Sequence, residues 1–104
     1  MDTTSDKQQL FDSALSLMMV RLVVYANAME ARNREHMDKA ERCVKRSIQL
    51  AYKHDHDVAK LLDTASCKII EDGASEKIRN NLGFIVYDMK VAEGIITKAD
   101  NNIS

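Results

Sequence analysis

Phe11-Asp-Ser-Ala-Leu15-Ser-Leu-Met18-Met-Val-Arg-Leu22-Val-Val-Tyr25-Ala-Asn-Ala-Met29 is the stretch that decides the fold class. Phe11, Leu15, Met18, Leu22, Tyr25 and Met29 follow one another at spacings of 4, 3, 4, 3 and 4. That alternation keeps them on one stripe of a helix, the seam of a bundle. A second stripe runs beside it through Leu10, Ala14, Leu17, Val24 and Ala28 and is broken only by Arg21. The helix is therefore apolar over much of its circumference. Ala14 to Met29 invites comparison with a membrane span, but it is short for one and carries Arg21 in its middle, with Ser16 and Asn27 nearby. It reads instead as a buried helix of a soluble protein that makes no membrane contact.

Upstream, Ser5-Asp-Lys-Gln8 has the capping-box pattern, in which a serine hydroxyl and a glutamine side chain each satisfy an orphaned backbone donor. A helix is predicted to start there. Downstream, the chain is polar from Ala31 to His36 and the apolar phase changes to Met37, Val44, Ile48 and Ala51. This predicts a turn or kink, with one uninterrupted helix as the alternative, because neither proline nor glycine marks a break. His54-Asp-His-Asp57 offers two N-cap carboxylates ahead of Val58, Leu62, Ala65 and Ile69. Gly73 is placed to take the left-handed position that ends this helix. Ser75 can cap a last helix with the seam Ile78, Leu82, Ile85, Met89, Ala92, Ile96 and Ala99.

The expected architecture is all-α: a compact bundle of three or four helices over approximately 5–31, 36–54, 57–72 and 75–99, the first two readable as one long helix. Residues 1–104 form a single domain in this reading, with frayed ends at 1–4 and 100–104. Composition agrees. The 104 residues include no proline and three glycines, with 45% hydrophobic and 30% charged residues, so little interrupts a helix and an all-β chain lacks its turns. The first residues carry acids and no basic run before an apolar region, which is not the pattern of a secretory signal. Cys43 and Cys67 form no CxxC pair, and reduced thiols in a cytoplasmic protein are the expectation. The six methionines, Met18, Met29 and Met89 among them, fall largely on the seams and read as core filling.

Chemistry-bearing patterns are few. His54-Asp55-His56-Asp57 holds imidazoles and carboxylates, yet adjacent positions point in different directions, whereas a helical metal site wants ligands three or four apart. The His-Asp pair also resembles that of metal-dependent phosphohydrolases, which need further ligands on widely spaced helices of a larger domain. Capping and solvated-turn roles suit these residues better, and no metal or cofactor is expected. No P-loop or GxGxxG occurs, and no Ser or Cys sits in a glycine-flanked elbow. An enzyme is not expected.

Charge is more informative. Residues 1–31 carry two bases and four acids, 32–54 seven bases and three acids, and 55–104 six bases and nine acids. A basic island thus lies in a chain of net charge −1. Arg32, Lys39, Arg46 and Lys53 recur every seven residues with Arg42 and Lys45 alongside, a ridge that suits phosphates or an acidic protein surface. A solvated outer face is the simpler reading. Against nucleic acid stand a sequence pI near 6.3 and the lack of a basic arm or helix-turn-helix signature. Gly83 and Gly94, close to three turns apart with Tyr87 and Val91 between, suggest the close approach of another helix, internal or external.

The function expected from these features is a non-enzymatic protein–protein interaction module, a small helical adaptor, inhibitor or chaperone-like accessory protein. A regulator binding nucleic acid or another polyanion through the ridge is the alternative. Because the first helix offers two apolar stripes, a homodimer is expected through Leu10, Leu17 and Val24, with Arg21 at the edge and Gly83, Tyr87 and Gly94 as an alternative surface.

Overall fold

A computed structural model describes residues 3–96, with side chains from Asp6 onward. Four helices follow in order: α1 (Thr3–Glu30), α2 (Arg34–Lys53), α3 (Val58–Glu71) and α4 (Glu76–Ala92). The chain is an all-α helical bundle. Met18, Leu22, Val44, Ile48, Leu61, Leu62, Leu82 and Ile85 lie in one core cluster to which all four helices contribute. The four predicted seams point into it over most of their length, Met37 of the second seam being half-buried outside the cluster. In α3 every predicted position, Val58, Leu62, Ala65 and Ile69, is buried.

The joints explain the order of the helices. The α1–α2 break is made without glycine: Arg32 adopts φ 54°, and the Asn33 N–H donates to the Ala28 carbonyl at 3.0 Å. The Asn33 side chain then accepts from the His36 N–H at 3.2 Å and caps α2. The two helices are therefore separate. Asp57 caps α3 by accepting from the Lys60 N–H at 3.2 Å, while Asp55 takes the left-handed position at φ 61°. Gly73, at φ 92°, ends α3, and Ser75 caps α4 through the Ile78 N–H at 3.2 Å. α2 runs back along α1, with Ala40 and Cys43 beside Val24 and Arg21. α3 runs alongside α1 in the same sense, His56 near Phe11 and Ile69 near Met19 and Val23. α4 returns along α3, where Lys90 is paired with Asp63.

Two expectations are corrected. α1 begins by Thr3, so Ser5 is inside the helix and does not cap it, and the Gln8 amide donates to Asp12 Oδ1 at 3.0 Å. α4 stops at Ala92, short of 99, because Gly94 adopts φ 74° and the Glu93 and Ile95 amides turn back to Met89 and Lys90. Ala92 is exposed, so the seam ends at Met89, and Ala99 lies outside the described residues. Gly83 lies in α4 but touches no neighbouring helix: a methyl group added there would meet nothing within 4 Å. Of the ends expected to fray, Thr3 and Thr4 are helical, and residues 1, 2 and 100–104 lie outside the described residues.

Candidate functional site

α1 is the central helix, with the other three docked on it. By length and composition alone Asp6–Glu30 is long and apolar enough to cross a membrane. Here Leu15, Met18, Leu22, Ala26 and Ala28 are buried within the bundle. Three docked helices still leave one stripe of α1 open. Leu10 is 40% exposed, Val20 56% and Val24 44%, with Leu17 half-buried between them. These four positions are seven, three and four apart, so they share one face over about 21 Å of helix. Toward α3 the stripe widens into an apolar groove lined by Met19, Val20, Val23, Val24 and Ile69, closed by Asp72. Toward α2, Val24 meets Arg21, His36, Lys39, Ala40 and Cys43. The predicted stripe Leu10, Leu17 and Val24 is thus brought onto one surface. Val20, its most exposed member, was missed because it falls between the two counted seams.

Six basic residues were predicted to form a ridge on α2. Arg42, Lys45, Arg46 and Lys53 do line one open groove, together with Gln49 and Leu50. Arg32 does not join them, because its left-handed conformation puts it in the turn before α2. Lys39 lies instead near Arg21 and Cys43 and pairs with Glu35 at 3.8 Å. Within the groove, Lys45 pairs with Glu41 at 3.4 Å. Arg42, Arg46 and Lys53 have no carboxylate partner among the described residues.

The His54–Asp57 run is consumed by the α2–α3 joint. His54 follows the last turn of α2, and the adjacent turn residues are fixed as described. His56 is half-buried with its ring edge-on to Phe11, centroids 5.6 Å apart, while the Lys60 ammonium sits 5.6 Å from the Phe11 centroid. His56 Nε2 is buried and makes no hydrogen bond among the described residues. Among the described residues no three His, Cys, Asp or Glu side chains gather where they could hold a metal ion. Both cysteines are free. Cys43 is half-buried, and Cys67 is exposed on α3.

Tyr25 sits on the side of α1 that faces α2 and α4. Burial pushes its phenol above the ordinary tyrosine value, and the carboxylates of Glu41, Asp88 and Asp38 push the same way. Of the alternative surface, Gly94 has left the helix and so shares no helical face with Gly83 and Tyr87, and the expected close approach at Gly83 is not made within the chain. Sequence reasoning also missed Phe84, 68% exposed on α4. It lies off the seam, where spacing carries no signal. No protein-family model, curated protein or solved structure matches this chain.

Proposed function

We propose that this chain is a non-enzymatic protein–protein interaction module of the cytoplasm that works as a homodimer built on the open stripe of α1. One observation carries the reading: the central helix of the bundle, already covered by three others, still exposes Leu10, Val20 and Val24. Contiguous apolar surface of this kind marks interaction sites on soluble domains. A second copy fits because the stripe is self-complementary. An antiparallel two-fold pairing centred near Leu17 sets Leu10 of one copy opposite Val24 of the other, with polar Ser13 and Asn27 at the borders. Burial there removes valine and leucine surface from water at about 25 cal/mol per Å².

Sedimentation of the wild-type chain together with a Val20→Glu, Val24→Glu variant tests this. Both side chains are exposed in the single chain, so the variant is expected to keep its helicity by circular dichroism and to sediment as a monomer where the wild type is a dimer. A wild type that stays monomeric at high concentration refutes the dimer. A variant that unfolds refutes the assignment of these residues to an open face.

A further inference from the structure

The basic groove lies on a different helix from the α1 stripe, and its geometry is that of a ridge standing out from the body. α2 is held by one narrow line of residues, Ala40, Val44, Ser47, Ile48 and Ala51, all buried. Opposite that line Arg42, Lys45, Arg46, Gln49 and Lys53 are all exposed. From position 42 to position 53 the chain has four bases and no acid, whereas the acids of α2, Glu35, Asp38 and Glu41, all lie in its first half. Compensation of the helix dipole explains only part of this. The dipole acts within the last turn, which accounts for Lys53, while Arg42 and Arg46 stand about three and two turns further back.

We propose that this half of α2 docks in the major groove of duplex DNA. The net charge of −1 does not oppose it. The balancing acids lie on α1, in the joints at Asp55, Asp57 and Asp72, and in the first half of α2, where Glu41 is already paired with Lys45; at physiological salt the more distant of them are largely screened beyond about 8 Å. Shape favours the duplex over a flat anionic surface. A bilayer lying along α2 would meet Glu35 and Asp38 as well as the cations, but a duplex crossing the helix obliquely can centre on the basic half, with Asp38 and Glu41 beside Arg42 and Lys45 at its edge. A major groove about 12 Å wide admits one α-helix. The residue types fit the two tasks of such a helix: Arg42 and Arg46 carry the forked donors that pair with guanine or phosphate, Gln49, one turn further on, is an adenine-reading amide, and Lys53 is a point charge for phosphate.

Fluorescence anisotropy of the full chain with a labelled mixed-sequence DNA duplex, taken through a salt series, tests the proposal. Neutralising three phosphates with Arg42, Arg46 and Lys53 predicts an affinity that falls about 40-fold between about 50 and 200 mM salt. Arg42→Glu with Arg46→Glu is expected to abolish binding with helicity unchanged. The milder Arg42→Gln with Arg46→Gln keeps a readout should the reversal unfold, and is expected to flatten the salt slope by about two thirds. Lys68→Glu with Lys77→Glu, which changes the net charge equally on α3 and α4, is expected to bind as the wild type does. Absence of duplex binding at low salt overturns the proposal. So does equal binding by the neutralised variant, or a preference for polyglutamate or anionic vesicles over the duplex.

Discussion

Leu22→Ala and Phe84→Ala differ in a way that side-chain size alone gets backwards. Leu22 has no exposed surface and lies in the cluster shared by all four helices, whereas Phe84, the bulkier residue, is 68% exposed on α4. Removing the leucine loses its transfer free energy at about 0.8 kcal/mol per methylene and leaves a cavity. The sum for fully buried leucines runs from about 2.7 to 5 kcal/mol. Against a total of roughly 5–15 kcal/mol for a domain, that is a large fraction. Phe84→Ala loses only the minor part of the ring that is buried, and alanine regains about 0.5 kcal/mol of helix propensity, so its cost should stay within about 0.5 kcal/mol. Urea unfolding followed by circular dichroism measures both. With a slope of roughly 1–3 kcal/mol per molar, the Leu22 variant should lose at least about 1 M in its midpoint while the Phe84 variant barely moves. Equal losses, or a Leu22 cost below about 1 kcal/mol, would refute the placement of α1 at the centre.

Gly83→Ala should raise stability by about 0.5–1 kcal/mol, because Gly83 is an exposed helical position with space for a methyl group. Gly94→Ala should lower it by about 1 kcal/mol, because φ 74° is strained for any residue with a Cβ; opposite signs in thermal melts check both. The raised phenol of Tyr25 makes stability pH-dependent in one direction. Its contribution is fully present below the unfolded value near 10 and is lost as pH rises from there through the higher folded value. Ultraviolet titration of tyrosinate in wild type minus Tyr25→Phe should give a midpoint above 10, and a midpoint at or below it would show that the phenol is not held between α2 and α4.

The helices were legible because their seams are regular, and the misses have separate physical causes. Gly94 can be read either as an interior glycine or as a terminator. The continuing spacing of Ile96 and Ala99 favoured the interior role, while the backbone used the glycine to stop. At Arg32 the reverse holds: a helix ends with a left-handed residue that is not glycine, and the legible signal was the change of apolar phase, while the Asn33 cap went unread. Faces were less legible than elements. Counting stripes showed that α1 had more apolar surface than one seam needs, but which stripe stays open depends on where α2, α3 and α4 cross it, and spacing says nothing of that. Hence Val20 was passed over. The basic ridge was visible as composition, and its reduction from six residues to four followed from the turn conformation of Arg32 and from Lys39 lying on the α1 side of the helix, neither of which composition carries.

The central position of α1 also has a cost in time. Of the four helices it is made first, and its docking surfaces are supplied by helices that end at Ala92. At about 5–20 residues per second, roughly 3 to 12 seconds separate the completion of α1 from the arrival of its last cover. For that interval Met18, Leu22 and their neighbours have only α2 and then α3, as each is made, to shield them, so the nascent chain is most in need of a holding chaperone early in its synthesis.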